Sequence, residues 1–317
     1  MNADASAVDA SVRPLELWPS VVELVGNTPL VRLRGVTAGL SDRVEVYAKL
    51  EYFNPGGSVK DRAARQILLD ALERGDLADG RTLIDSTSGN TGVAYAMLGA
   101  ALGVPVTLVM PSNVSQARKD IIEAYGADII YSDPLESSDG AIRLAKRIVA
   151  EDTEGRYYYP DQYANPSNPG AHERTTAPEI WRDTAGRVTH FVAGLGTSGT
   201  IVGTSRGLKR FDPSIQVVAV EPDAGFHGLE GLKHMASSIV PPIYDRSAHD
   251  RLLPITTEDG WDAAETVARL DGLAVGWSSG ASLAGALQVA RELDEGVVVC
   301  IFCDHADRYI APPRSRS

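Results

Sequence analysis

Four short segments carry residue types that can bind anions or attack a carbonyl carbon. Residues 54–62 read NPGGSVKDR, two glycines and a serine leading to Lys60 in the first turn of a predicted helix. A first-turn lysine is ordinarily a solvated charge. It also has the wrong sign for that helix end, and such a conflict hints at function. A lysine that attacks an aldehyde must be neutral. Helix-dipole repulsion supplies at most about 1 kcal/mol, under one pKa unit, whereas burial supplies roughly 3–5 units. Desolvation is therefore the main lever on Lys60, and Schiff-base formation is the natural use of such an amine.

Residues 194–200, GLGTSGT, follow a strand-like run and open a helix, so backbone N–H groups converge where the helix dipole favours an anion. Gly194, Gly196 and Gly199 also satisfy GxGxxG, and Glu221 ends the next strand about 20 residues on, as in a dinucleotide fingerprint. Alone, the turn fits a nicotinamide or flavin cofactor, a simple phosphate, or a tight structural turn. Residues 86–92, STSGNTG, offer the hydroxyls of Thr87, Ser88 and Thr91 and the amide of Asn90, a fit for a substrate carboxylate. A well-capped helix start uses the same residue types. Residues 276–282, GWSSGAS, place Ser278 at the end of a strand-like run, where it offers a neutral hydroxyl or merely caps a helix.

These segments need a scaffold, and the chain supplies one. Strand-like runs at 44–49, 82–85, 106–110, 128–131, 191–195, 217–221, 273–277 and 297–302 alternate with helical patterns at 60–74, 116–125, 138–149, 200–210, 262–270 and 282–292. That alternation predicts βαβ units and largely parallel sheets, which bind ligands beyond the C-terminal ends of their strands. The helix at 60–74 has Ser58 as a cap, Asp61 as a capping-box acid, Gly75 as a stop, and an apolar row of Ala63, Ile67 and Ala71. A polar loop at 159–170, YPDQYANPSNPG, is the predicted domain crossing, and the final APPRSRS reads as a disordered tail.

At 317 residues the chain is long enough for two domains with a substantial core. A net charge of −12 disfavours nucleic acid and an anionic membrane as partners. The N-terminal MNADASAVDASVRP lacks the apolar core of a secretory signal, and the uncharged stretch between Asp85 and Arg118 is broken by Gly99, Gly103 and Pro105. A cytoplasmic protein is expected, with no membrane span. Cys300 and Cys303 fall three residues apart, on opposite faces of a strand, and are expected to be buried structural thiols.

The four segments, with VGNTPL at 25–30, resemble the cysteine synthase (O-acetylserine/O-phosphoserine sulfhydrylase) group of fold-type II pyridoxal-phosphate enzymes. The likeness runs from about residue 18 to residue 309. It implies two three-layer α/β domains with mostly parallel sheets, as in the tryptophan synthase β chain, with pyridoxal 5'-phosphate between them. The division expected here is 1–165 and 166–317, the first 45 or so residues crossing onto the second domain.

By this resemblance Lys60 is the internal Schiff base and acid–base group, and Asn90 hydrogen-bonds the ring hydroxyl. Gly196, Thr197, Ser198, Gly199 and Thr200 bind the phosphate, and Ser278 faces the pyridine nitrogen. Thr87, Ser88, Thr91 and Gln162 hold the substrate carboxylate. The implied reaction is β-replacement through an α-aminoacrylate, making L-cysteine from O-acetylserine or O-phosphoserine and a sulfur donor. A serine at the ring nitrogen leaves the ring a weaker electron sink, which suits β-elimination better than transamination. The resemblance implies a homodimer with small-molecule substrates, and it admits a small sulfur-carrier protein as donor.

Two stretches depart from the group's usual pattern. Residues 225–235, GFHGLEGLKHM, resemble the phosphoserine-using branch and put Lys233 where a cation meets a leaving phosphate; a surface lysine is the alternative. Residues 303–309, CDHADRY, leave His305 either lining the site or at its rim. The alternatives are a cystathionine β-synthase or diaminopropionate synthase on the same cofactor, and an NAD-dependent dehydrogenase using Gly194, Gly196, Gly199 and Glu221.

Overall fold

The computed structural model describes residues 19–87 and 89–309 and builds two sheets. The larger has six strands: β1 (Leu30–Leu33), β2 (Val44–Leu50), β7 (His190–Gly194), β8 (Gln216–Pro222), β9 (Arg251–Ile255) and β10 (Gly296–Phe302), in the order β1-β2-β10-β7-β8-β9. Only β1 runs antiparallel to its neighbour. The smaller sheet is all parallel: β3 (Thr82–Ser86), β4 (Val106–Pro111), β5 (Asp128–Ser132) and β6 (Tyr157–Tyr158), in the order β5-β4-β3-β6. Strands from both ends of the chain thus meet in one sheet, with β2 pairing β10 from Val44↔Gly296 to Leu50↔Phe302.

Nine helices of α-type join the described strands. α1 (Lys60–Arg74) and α2 (Asn90–Leu102) share a core with the small sheet, in which Ile67, Leu68 and Ala71 meet Leu83, Val93 and Leu98. α3 (Gln116–Ala124) and α4 (Ser137–Ala150) complete that lobe. α5 (Ser167–Ala171) and α6 (Ala177–Asp183) are joined by a π-helical turn at His172–Thr176. α6 and α7 (Gly199–Phe211) cover one face of the large sheet, with α5 packed between α1 and α7, while α8 (Thr257–Asp271) and α9 (Trp277–Arg291) cover the other. Each sheet is a middle layer between helices. The near-continuous apolar runs of β4, β8 and β10 are what a parallel strand buried on both faces requires. Among the described residues, no helix is long and apolar enough to cross a membrane.

The expected elements stand, with local differences. The run at 273–277 is not a strand: it makes one isolated bridge, Val275↔His305, and residues from Trp277 onward are already α9. Among the described residues Val275 makes this single bridge, to the chain leaving β10, and no ladder extends from it. At α1 the capping box does not close. Ser58 Oγ accepts from the Lys60 N–H at 3.2 Å, but Asp61 reaches further back, to the N–H of Gly56. Gly75 ends the helix in the left-handed conformation (φ +79°), as a glycine stop should. Cys300 packs on one face of the large sheet and Cys303 on the other, both free thiols. The N-terminal MNADASAVDASVRP and the final APPRSRS lie outside the described residues.

Candidate active site

Parallel strands end at one edge of their sheet, and the loops leaving those ends enclose a cavity of about 470 Å³. Lys60 reaches it from the loop after β2, and Thr87, Asn90 and Thr91 from the loop after β3. Gly196, Thr197, Ser198 and Thr200 come from the loop after β7, Lys233 from that after β8, and Cys303 and Asp304 from that after β10. Ser278, in the first turn of α9, and Gln162 complete this set. Gly199 lies just behind the wall, and Ser88 lies outside the described residues.

Lys60 is half-buried, open to the cavity rather than sealed in the core. Among the described residues no carboxylate pairs with its amine, so filling the cavity, not a protein neighbour, is what can desolvate it. The helix beneath it is held hard. Arg62, one half-turn on and 2% exposed, bridges Glu51 (2.6 Å) and Glu179 (2.7 Å). Lys49, fully buried, pairs with Glu179 (2.9 Å) and Asp183 (3.1 Å) and donates to the Thr28 carbonyl. The Asn27 N–H donates to Glu179 and the Thr28 hydroxyl to Glu51, which gives VGNTPL a physical role: it closes this ionic cluster under the lysine loop. Burial raises the Glu179 carboxyl, but hydrogen bonds and charge from Arg62, then Lys49, outweigh it and hold its pKa at about 2.

The glycine turn presents bare backbone. Ser198 takes the left-handed conformation (φ 68°) and precedes the first residue of α7. Side chains on the glycines would destroy the turn: a Cβ on Gly199 would run into Asn168 Oδ1, and one on Gly196 into the Gly231 carbonyl. The Asn168 amide steadies it, donating to Thr197 Oγ1 (3.2 Å), and Thr200 Oγ1 meets His172 Nε2 (3.2 Å) on the π-helical turn. Burial, then the Arg62 charge, lowers the His172 pKa to about 3, so that ring is neutral. Glu221 does not line the cavity; it accepts the Met235 N–H at 2.9 Å.

The hydroxyl-rich turn is both a helix start and a wall. Thr87 Oγ1 accepts the N–H groups of Gly89 and Gly92, each at 3.2 Å. The Gln162 amide spans the loop, accepting from Thr91 Oγ1 (2.9 Å) and donating to the Ser86 carbonyl (2.8 Å). Behind it, fully buried Asp85 accepts from Ser86 N–H and Gln162 N–H. Burial pushes the Asp85 pKa up to about 7.

Lys233 lies 4.0 Å from Asp139 and over the Tyr163 ring (5.3 Å), facing the cavity rather than the surface. Spacing gave no sign of Arg118, which pairs with Glu230 (2.8 Å) and stacks over Tyr309 (5.8 Å) at the same mouth. His305 does not line the cavity; its ring packs edge-on to Tyr52 and meets Asp307. Cys303 does line it, and burial raises that thiol to about 11, so it is protonated at neutral pH.

An amine, an anion-binding glycine turn whose Cβ positions are blocked, and a convergent set of amides and hydroxyls fit a phosphorylated aldehyde. Fold and site together define a vitamin B6 enzyme of the two-sheet α/β type, and the chain belongs to the pyridoxal-phosphate dependent enzyme family, whose model matches residues 21–304. It is 52% identical over 296 residues to a cysteine synthase of Aquifex aeolicus, covering 92% of this chain and 90% of that one. Its fold matches the crystal structure of a cysteine synthase (OASS) from Entamoeba histolytica with a TM-score of 0.91 at 35% identity, covering 98% of this chain and 94% of the other. An O-acetylserine dependent cystathionine beta-synthase from Helicobacter pylori matches with a TM-score of 0.87 at 33% identity, over 94% of this chain and 99% of the other. The dehydrogenase alternative falls with this membership, and Glu221 is spent on backbone.

Proposed function

We propose that this enzyme makes L-cysteine by replacing the oxygen substituent of an O-activated L-serine, acetyl or phospho, with sulfur. The observation that carries the reading is that Lys60 and the glycine turn, from opposite lobes, line one cavity together with the Thr87–Gln162 cluster. When bound, pyridoxal 5'-phosphate supplies the electron sink for breaking the C–O bond.

The chain's own residues do the rest. Lys60 would hold the cofactor through its amine and is the group placed to take the α-proton of the substrate. Gly196, Thr197, Ser198, Gly199 and Thr200 hold the phosphate at the N-terminus of α7, Asn90 donates to the ring hydroxyl, and Ser278 gives the ring nitrogen a neutral partner. Thr87, Ser88, Thr91 and Gln162 hold the substrate carboxylate, and their loop closing on it excludes water. Lys233 receives a departing phosphate by exchanging its Asp139 partner for it. We take the domain division as 1–165 and 166–317, with the first 45 or so residues crossing over; the pairing of β1 and β2 within the six-stranded sheet supports this. A cytoplasmic homodimer using small-molecule substrates, with sulfide or a small sulfur-carrier protein as donor, completes the reading.

The test is cysteine formation by purified protein from O-acetylserine or O-phosphoserine with sulfide, run against homocysteine as nucleophile. Cysteine at the higher kcat/KM is expected. Faster cystathionine formation would move the assignment to the cystathionine reaction, and no product from either nucleophile would overturn it.

A further inference from the structure

Both ends of the Asn90 amide are taken by one short segment, the chain leaving β10. That segment, residues 303–309, is stitched to the lysine loop on one side and to the start of α9 on the other. Val59 N–H donates to the Cys303 carbonyl (2.9 Å), and Ser58 bridges Asp304. Gly276 N–H donates to the Asp304 carbonyl (3.1 Å), and Val275 bridges His305. From this strap two charged side chains reach Asn90. Asp304, 1% exposed, accepts Asn90 Nδ2–H through Oδ2 at 2.6 Å, and the same oxygen accepts the Tyr309 hydroxyl. Arg308 Nη1 donates to Asn90 Oδ1 at 2.9 Å, while its Nη2 donates to the Gly56 carbonyl, four residues before Lys60.

This arrangement fixes which way the amide points. A guanidinium can only donate and a carboxylate only accept, so Oδ1 must face Arg308 and the NH₂ group must face Asp304. One Asn90 N–H is then spent on Asp304 and the other is left. Two glycines make room for the clamp. A Cβ on Gly57 (φ +79°) would run into the Arg308 guanidinium, and one on Gly276 into Asp304 Oδ1 and the Tyr309 ring. The second glycine of NPGGS is thereby explained by a side chain some 250 residues away.

We propose that Asp304 and Arg308 are positioning residues that orient the Asn90 amide toward the ring oxygen of the cofactor and set its distance from the Lys60 loop. The proposal rests on the reading of Asn90 as the ring-hydroxyl partner. Arg308 carries the larger share, because its side chain joins the asparagine directly to the Gly56 carbonyl of the lysine loop, whereas Asp304 meets that loop through its backbone. A pair of charge-assisted hydrogen bonds holding one neutral donor preorganises that donor before the cofactor arrives.

The experiment compares holoenzyme variants by two readouts other than turnover: the position of the visible absorption band, and the rate at which cofactor is lost on dialysis. Asn90→Ala, Arg308→Ala and Asp304→Ala should each displace the band in the same direction and speed cofactor loss about tenfold, the scale of one charge-assisted hydrogen bond. Arg308→Ala placed on top of Asn90→Ala should add nothing to either readout, as coupled sites require. Arg308→Lys keeps the charge but reaches one oxygen instead of two, and should fall between; with Asp304→Ser it carries the test if an alanine variant does not fold. An unchanged band and loss rate in Arg308→Ala, or effects that add in full to Asn90→Ala, would overturn the proposal. An unchanged Asn90→Ala would overturn it at its premise. Borohydride reduction of the wild type separates the two failures: cofactor fixed on Lys60 leaves the functional reading intact, and none fixed there removes that reading itself.

Discussion

Lys60 stood out in the sequence as a lysine of the wrong sign for the first turn of its helix, but only the company of the other segments gave it a role. What spacing could not supply was its setting. The amine is half-buried against an open cavity, so whatever fills that cavity completes its burial. Lys233 carries a sharper expectation. Its partner Asp139 is 4.0 Å away and partly exposed, so a dianionic phosphate can displace it, whereas a neutral acetyl ester gains nothing from the exchange. Lys233→Ala should therefore raise the KM for O-phosphoserine about tenfold, the scale of one hydrogen bond between charged groups, about 1.5 kcal/mol, and leave that for O-acetylserine nearly unchanged. Steady-state kinetics with both esters decide it, and equal effects on the two would make Lys233 a structural residue. His305, ambiguous as a letter in a string, sits at the rim because its ring packs on Tyr52.

At the scale of elements, the helix behind Lys60 depends on partners that no local pattern could reveal. Lys49, Glu51, Arg62, Glu179 and Asp183 come from β2, the turn after it, α1 and α6, and ion pairs across more than 100 residues leave no periodicity. Removing one member of a buried pair strands the other charge, so Arg62→Ala should cost about 3–5 kcal/mol of stability, measured by urea unfolding. A loss under about 1 kcal/mol would show the cluster to be solvated.

Two carboxylates of this scaffold give opposite pH trends. Glu179 titrates at about 2 in the fold against 4.5 for the free group, so its contribution is complete above pH 4.5 and is lost as pH falls toward 2. Asp85 titrates at about 7 against 3.8, so the folded state holds an extra proton between those values and stability declines as pH rises through that window. Asp61, also raised to about 7 by burial, acts in the same direction. Asp85→Asn should flatten the decline in thermal midpoint between pH 4 and pH 7; an unchanged slope would assign it elsewhere. The misread run at 273–277 teaches the same lesson as the ionic cluster. Its apolar residues suit a strand, but tertiary position, which gives Val275 a single bridge to His305 and no ladder, decides otherwise.

For the whole molecule, the alternation of strands and helices foretold parallel sheets, and the loops at their C-terminal ends line the cavity. The order of strands was not legible. That β2 lies between β1 and β10, joining the first quarter of the chain to the last, follows from packing that no stretch of sequence states. Two ion pairs span the mouth between the lobes, Arg118 with Glu230 and Lys233 with Asp139, and a ligand that bridges the lobes must bind the folded state alone. Cofactor at a thousand times its dissociation constant should then add about 4 kcal/mol, roughly 6 °C in thermal midpoint for a chain of this length. Scanning calorimetry with and without pyridoxal phosphate measures it, and a midpoint indifferent to cofactor would mean that the folded protein does not bind it.

The most direct measurement is borohydride reduction of the purified, yellow holoenzyme followed by peptide mapping. One pyridoxyl group on the peptide bearing residues 54–62, with none in Lys60→Ala, is the result these assignments require. A label on another lysine, or a colourless protein that takes none, would contradict them.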